Sequence, residues 1–259
     1  MARLTAYHRK RHFDVTSEPR GRVGPAAVKT RRFVIQRHDA TRLHYDFRLE
    51  LDGVYKSWAV TKVPSLDPTV RRLAVEVEDH PLEYGTFEGT IPKGQYGGGT
   101  VQLWDNGTWA PQSETPPSRD LAVGHLKMVL AGKRLKGGWA LIRLRDRDEG
   151  RRRTPRHNWL LIKERDEEAR DGDPDALLSE TTSVKTGRTL EEIANRSRKV
   201  WQSNRAADDQ PQAAAKRAPA KRPAAKRASA KRTPVKRAKA ARPAKPKPAR
   251  ASKRKARQR

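Results

Sequence analysis

From Leu43 to Leu51 the chain reads LHYDFRLEL, a strict alternation of polar and apolar residues. Successive side chains of a β-strand face opposite sides, so Tyr45, Phe47, Leu49 and Leu51 share a face available for a core. The other face sets His44, Asp46, Arg48 and Glu50 in a row, at steps of about 7 Å. His38 lies six residues upstream across a short HDAT turn, from where it can fold back onto that row. A single His-x-Asp on a strand is more often solvated surface than a ligand pair. Two imidazoles and a carboxylate within nine residues point instead to a divalent cation with open positions for water and substrate. With Arg48 alongside for an anion, the set suits metal-assisted phosphate chemistry, and it equally matches the facial triad of Fe²⁺ oxygenases.

Strand signals recur from residue 30 to 165, at 32–37, 43–51, 54–60, 71–79, 99–104, 125–131, 138–145 and 158–164. Leu51-Asp52-Gly53 reads as a hairpin turn, and WDNGTW (104–109) contains the Asn-Gly turn signature. Segment 110–122 reads as a loop. Such strands without intervening helices predict a mainly β fold, an antiparallel barrel or sandwich with few short helices. Trp104, Trp109, Trp139 and Trp159 alternate with apolar neighbours and belong to its core. One helix is predicted over 189–201, with Thr189 and Glu192 spaced as a capping box.

Charge divides the chain. Residues 211–259 hold 20 Lys and Arg, seven prolines and neither an acidic nor an aromatic residue. Residues 1–210 hold 38 Lys and Arg against 30 Asp and Glu, the chain totals being 58 and 30. A segment so charged and so poor in large apolar residues cannot offset its chain entropy, so a disordered tail is expected. Within it Lys216-Arg217, Lys221-Arg222, Lys226-Arg227, Lys231-Arg232 and Lys236-Arg237 recur at a five-residue period that matches no helix face. These pairs suit sequence-blind nucleic-acid binding through counterion release, against the blander role of a solubilising tail. The expected organisation is an arm (1–29), a β domain (30–165), a linker with a short helix (166–210) and the tail (211–259).

The chain has no cysteine, hence no disulfide and no thiolate ligand. No apolar run approaches the roughly 20 residues of a membrane helix, and the N-terminus lacks a hydrophobic signal core. A cytoplasmic, nucleoid-associated protein is expected, with no membrane partner.

A second polar cluster, EVEDHPLEYGTFEGTIPKGQYGGGTV, covers 76–101. His80 and Tyr84 fall at a strand end and turn, where functional groups concentrate; a polar loop on a barrel rim is the competing reading. The Gly-rich IPKGQYGGGT lacks Walker spacing and reads as a tight hairpin that presents Lys93 to phosphate.

Taken together, FVIQRHDATRLHYDFRLELDG, SWAVTKVPSLDP, VEVEDHPLEYGTFEGTIPKGQYGGGTVQLWDNGTW and NWLLIKERD resemble the 3′-phosphoesterase domain of bacterial DNA ligase D, over about residues 5–165. That domain also occurs as a free-standing protein, and the chain is read as that form. The resemblance implies a compact β-barrel that binds Mn²⁺, with other divalent transition metals also fitting the donors. It implies removal of a 3′-terminal ribonucleoside and then of the 3′-phosphate from primer-template ends, in repair such as non-homologous end joining. It implies His38, His44 and Asp46 as metal ligands, and Arg48, His80 and Tyr84 as phosphate-contacting and catalytic residues. Arg11, Glu18 and Glu78 match further polar residues near the site. A DNA ligase and the Ku end-binding protein are implied partners, and no ligase lysine motif is present. The oligomeric state is left open. Two departures stand out: His12 replaces an aspartate in the arm, and Thr61 and Val63 replace a proline and a glycine after the third strand. His12 is the one feature favouring a second reading, a non-catalytic DNA-binding or end-bridging protein on the same barrel.

Overall fold

The computed structural model describes residues 4–26, 30–145 and 157–196. The basic pairs from Lys216 to Arg237 lie outside the described residues. Nine strands form one antiparallel sheet: β1 (Arg31–Asp39), β2 (Leu43–Leu51), β3 (Val54–Val60), β4 (Arg72–His80), β5 (Gly89–Ile91), β6 (Gly99–Pro111), β7 (His125–Gly132), β8 (Lys136–Arg143) and β9 (Asn158–Lys163). Their order is β1-β2-β3-β4-β9-β8-β7-β6, and β6 returns to pair with β1, so eight strands close into a barrel. The short β5 pairs with the first residues of β6, Gly99 to Val101.

All eight barrel strands send residues into one apolar cluster, among them Phe33, Phe47, Trp58, Ala74, Trp109, Met128, Trp139 and Trp159. The cluster therefore fills the barrel, and alternation turns the polar row of β2 to the outer surface. The four strand tryptophans predicted as core are all buried. So too is Val63, one of the two departures after β3.

That outer surface is not open to solvent. The arm, with its helix α1 (Thr5–Arg9), covers it: Leu4 and Tyr7 pack on Val54 and Tyr84, flanked by Phe13 and Phe87. Asp46, Arg48 and Glu50 are consequently buried, and β2 is covered on both faces.

The Leu51–Val54 hairpin turns at Asp52 and Gly53, both with positive φ, as its sequence predicts. The Asn-Gly signature does not make a turn. β6 runs straight through Asn106 and Gly107, because a side chain at 107 would lie 2.1 Å from the Ala131 carbonyl; glycine there permits close strand approach. The loop expected at 110–122 contains a helix, α2 (Pro117–Val123), which ends at Gly124 in the left-handed region.

The linker expected from 166 onward is, as far as 196, a strap bonded to the barrel. Trp104 Nε1 donates to the Glu180 carbonyl, Gln102 Nε2 to those of Thr181 and Arg188, and Arg134 to that of Thr182. The predicted helix follows at 190–196. Its capping box is formed: Thr189 N donates to Glu192 Oε2 at 2.8 Å and Glu192 N to Thr189 Oγ1 at 3.3 Å.

Candidate active site

The β1–β2 hairpin pairs His38 directly with His44, and Gln36 with Asp46. The two imidazole centroids stand 4.7 Å apart. One ligand atom from each of His38, His44 and Asp46 lies within 4.8 Å of the others. Asp46 Oδ2 is 3.6 Å from His38 Nδ1, and its Oδ1 is 3.6 Å from His44 Nε2. His44 Nδ1 donates to the Arg42 carbonyl at 2.9 Å, which turns Nε2 toward the carboxylate. His38 Nε2 is buried without a hydrogen-bond partner. Burial alone would raise the Asp46 carboxyl, but Arg48, with His38 and His44, holds it well below the usual carboxylate range. An anionic carboxylate flanked by two imidazoles is a donor set that fits a divalent transition metal.

Arg48 occupies the next outward position of β2 and is 2 % exposed. Its Nε donates to Gln36 Oε1 at 2.8 Å, Nη1 to Ser57 Oγ at 3.0 Å and Nη2 to Asp46 Oδ2 at 3.0 Å. A guanidinium has five N–H donors, so one on each Nη stays uncommitted among the described residues, a pair of donors of the kind that can bind an oxyanion. Gln36 is itself fixed, its Nε2 donating to the carbonyls of Tyr84 and Phe87. Gln36 and Ser57 were not among the predicted site residues. Gln36 could have been found from its place two residues before His38, on the same face of β1.

On β4 the pairing with β3 shifts by one residue between Tyr55 and Ser57. The extra residue breaks the alternation, so Val77, Glu78 and His80 all line one cavity. Arg11 of the arm closes it. Its Nε donates to Glu18 Oε1 at 2.8 Å, Nη1 to Glu78 Oε1 at 3.0 Å, and Nη2 to His80 Nε2 at 3.1 Å. The guanidinium also stacks on Tyr7, 3.9 Å from the ring centroid. Lys10 Nζ donates to Glu78 Oε2 at 2.9 Å. Glu78 is thereby kept ionised, Lys10 and Arg11 outweighing its burial. Burial pushes the Tyr84 phenol well above its ordinary range, so it stays protonated beside Arg48, whose guanidinium lies 4.8 Å from the ring centroid.

The cavity, of about 210 Å³, is lined by Arg11, His38, His44, Asp46, Arg48, Glu78, His80 and Tyr84, with Tyr96 and Gly97 of the β5–β6 hairpin on one side. The fold thus brings the predicted metal ligands and the predicted catalytic residues together, Glu18 joining them through Arg11. Lys93 is different: it is exposed on the hairpin and does not line the cavity. Glycine at 99 lets that hairpin approach β1, since a side chain there would lie 2.3 Å from the Asp39 carbonyl. His12 is exposed and also outside the lining, so the arm's departure does not enter the cavity.

Residues 36–143 match the family model of the DNA ligase D 3′-phosphoesterase domain. The barrel belongs to the DNA ligase D 3′-phosphoesterase family. The chain is 50% identical over 189 residues to the multifunctional non-homologous end joining protein LigD of Pseudomonas aeruginosa, across 69% of this chain and 21% of that protein. It is 48% identical over 141 residues to the LigD of Mycobacterium tuberculosis, across 54% of this chain and 18% of the relative. With the Mycolicibacterium smegmatis LigD the identity is 38% over 187 residues, 70% of this chain and 23% of the relative. The chain therefore spans about a fifth of the length of the relatives it matches. Among the described residues no helix is long and apolar enough to cross a membrane.

Within this barrel, His80 has a defined protonation state. Its Nδ1 donates to the Glu78 carbonyl at 2.8 Å and its Nε2 accepts from Arg11. Burial first, then Arg48 and Arg11, holds the imidazole well below its ordinary range. The unfolded chain's imidazole titrates near about 6.5, so below that pH it takes up a proton that folded His80 refuses, and stability falls. The melting temperature is expected to drop from pH 7 to pH 5, less steeply in His80→Gln than in wild type. An unaltered slope in that variant would show that His80 is not the group responsible.

Proposed function

We propose that the chain is a Mn²⁺-dependent DNA 3′-end-healing phosphoesterase acting in end repair such as non-homologous end joining. It removes a 3′-terminal ribonucleoside and then the residual 3′-phosphate. The observation that carries this reading is the convergence of the His38, His44 and Asp46 donor atoms with the uncommitted fork of Arg48 in one small cavity. A divalent cation held by those three side chains would supply Lewis-acid charge to a non-bridging phosphate oxygen. Arg48 grips the phosphate, oriented by Gln36, Ser57 and Asp46. Arg11, carried in by the arm, adds a second cation and holds His80 Nε2 toward the cavity. Neutral His80 is an acceptor as it stands. The negative charge of a bound phosphate, single in the diester and up to double in the 3′-phosphate, would oppose the Arg48 and Arg11 cations and raise the imidazole toward the range of a general acid for the leaving oxygen. Tyr84, held protonated by burial, remains a donor.

The uncharged end of the substrate lies outside this grip. The tail pairs from Lys216 to Arg237 would tether the enzyme to DNA through phosphate contacts, in keeping with nucleoid association. A DNA ligase and Ku are the partners that this reading brings with it.

The test is an assay of the purified chain with Mn²⁺ on a primer-template whose primer ends in one 3′ ribonucleotide, with a 3′-phosphate primer in parallel. Shortening of the first and dephosphorylation of the second are expected, both lost in His44→Ala. Inertness toward both ends would sink the proposal.

A further inference from the structure

The reaction proposed above must handle two kinds of end, one with a terminal nucleoside beyond the phosphate and one without. The cavity of about 210 Å³ falls below the about 300–1,000 Å³ typical of sites that enclose a whole small ligand. With its walls given to metal ligands and guanidinium groups, it accommodates a phosphate and leaves a nucleobase at the mouth. Tyr96 stands there. It lines the cavity yet is 45% exposed, whereas Tyr84, the other tyrosine of the lining, is buried.

Tyr96 is placed firmly. Its hydroxyl donates to Glu78 Oε2 at 3.2 Å and accepts from Lys10 Nζ at 2.9 Å. The next residue, Gly97, sets the hairpin backbone against His38: a side chain there would lie 3.9 Å from His38 Cε1. An aromatic ring is thus fixed by its hydroxyl beside the metal ligands, with much of its surface toward solvent. Such a ring is a stacking platform for a base of any identity.

Charge decides which nucleoside it meets. β5 is a wall shared by two cavities: Ile91 lines the first, while Gly89 and Thr90, with Pro92 just beyond the strand, line a second of about 580 Å³. The second is lined by three cations, Lys185, Arg188 and Arg196, against two carboxylates, Asp14 and Glu88, and so has a positive surplus. The retained strand, a run of phosphates, is drawn to that side. Around Tyr96 two cations, Lys10 and Arg11, lie 4.6 and 5.4 Å from the ring centroid and are matched by Glu78 and Glu18, a balance that suits an uncharged nucleoside on the rest of the ring.

Resting on the proposed 3′-end-healing reaction, we propose that Tyr96 stacks on the base of the departing 3′-terminal ribonucleoside and so favours ribonucleoside ends over 3′-phosphate ends. The test compares kcat/KM of wild type, Tyr96→Ala and Tyr96→Phe on three primers: a 3′ ribonucleotide, a 3′-terminal ribose lacking a base, and a 3′-phosphate. Tyr96→Ala is expected to lower the ratio of ribonucleotide to 3′-phosphate activity by at least about fivefold, the lower end of base–aromatic stacking. Tyr96→Phe should keep the ratio, and on the base-free ribose the gap between wild type and Tyr96→Ala should close. Equal losses on all three primers, or a fall in Tyr96→Phe as large as in Tyr96→Ala, would overturn the stacking role in favour of the hydroxyl tie to Lys10 and Glu78. A wild type inert on every primer would instead remove the reaction itself.

Discussion

Asp46→Asn is expected to lower kcat/KM on both kinds of 3′ end by about a thousandfold or more, equivalent to several kcal/mol of lost charge stabilisation. The substitution is nearly isosteric, so the effect isolates charge. Asp46 is the sole anion of the candidate ligand set, and its two oxygens face His38 on one side and His44 on the other. It is also the counter-charge of Arg48, whose side chain is 2% exposed and meets Oδ2 at 3.0 Å. An amide leaves two imidazoles for the cation and an uncompensated buried guanidinium. Breaking one side of a buried pair costs about 3–5 kcal/mol, so the metal-free variant should melt well below wild type. His44→Ala provides the contrast. Its side chain is more open, at 23%, and it pairs with no cation among the described residues. It should lose activity and the Mn²⁺-dependent rise in melting temperature, yet keep nearly the metal-free stability of wild type. A full Mn²⁺-dependent rise in Asp46→Asn would exclude this carboxylate from the ligand set.

The convergence of His38, His44 and Asp46 on one face was legible because strand periodicity is short-range. The alternation of β2 and the brief turn before it suffice to set His38 against His44, and no distant residue is needed. What covers this face was not legible in the same way. Arg11 meets Glu78 and His80 across 67 and 69 positions of sequence, and Lys10 meets Tyr96 across 86. Resemblance to a family carried Arg11, Glu18 and Glu78, where periodicity could not. Gln36 was passed over for a different reason. It shares the face of His38 but does not titrate, and its role is to aim Arg48.

Two local misreadings have physical causes. Asn106-Gly107 has hairpin chemistry, but the crowding of Gly107 against the Ala131 carbonyl shows glycine serving the close pairing of β6 with β7. Segment 110–122 looks like a loop from its prolines and serines. Pro117 at the first helical turn and Gly124 just past the last are nevertheless proper helix punctuation around SRDLAV. The strap to residue 196 escaped because its acceptors are largely backbone carbonyls, which any sequence has. The specificity sits on the barrel, in Gln102, Trp104 and Arg134.

Arg11→Ala should separate the arm's contribution from the metal's. One guanidinium joins Glu18, Glu78 and His80 while packing on Tyr7, so it links α1, the arm beyond it and β4. Removing it leaves Glu18 and Glu78, 1% and 4% exposed at the side chain, without their shared cation. Lys10 still serves Glu78, and the Thr16 hydroxyl still bonds Glu18. The expected loss is about 3–5 kcal/mol of stability, unless the arm lifts and rehydrates both carboxylates at smaller cost. Either response displaces the second phosphate-facing cation and frees His80 Nε2. Misplacement on this scale costs about a hundredfold in kcat/KM. Arg11→Lys should recover part of the stability, having a charge for one carboxylate, but little of the activity, since an ammonium lacks the fork that spans three partners. Neither variant touches His38, His44 or Asp46, so the Mn²⁺-dependent rise in melting temperature should survive in both. Full activity in Arg11→Ala, measured on the ribonucleotide-ended primer, would reduce the arm to a cover. Loss of the Mn²⁺ response would instead extend the metal site beyond its three ligands into the arm.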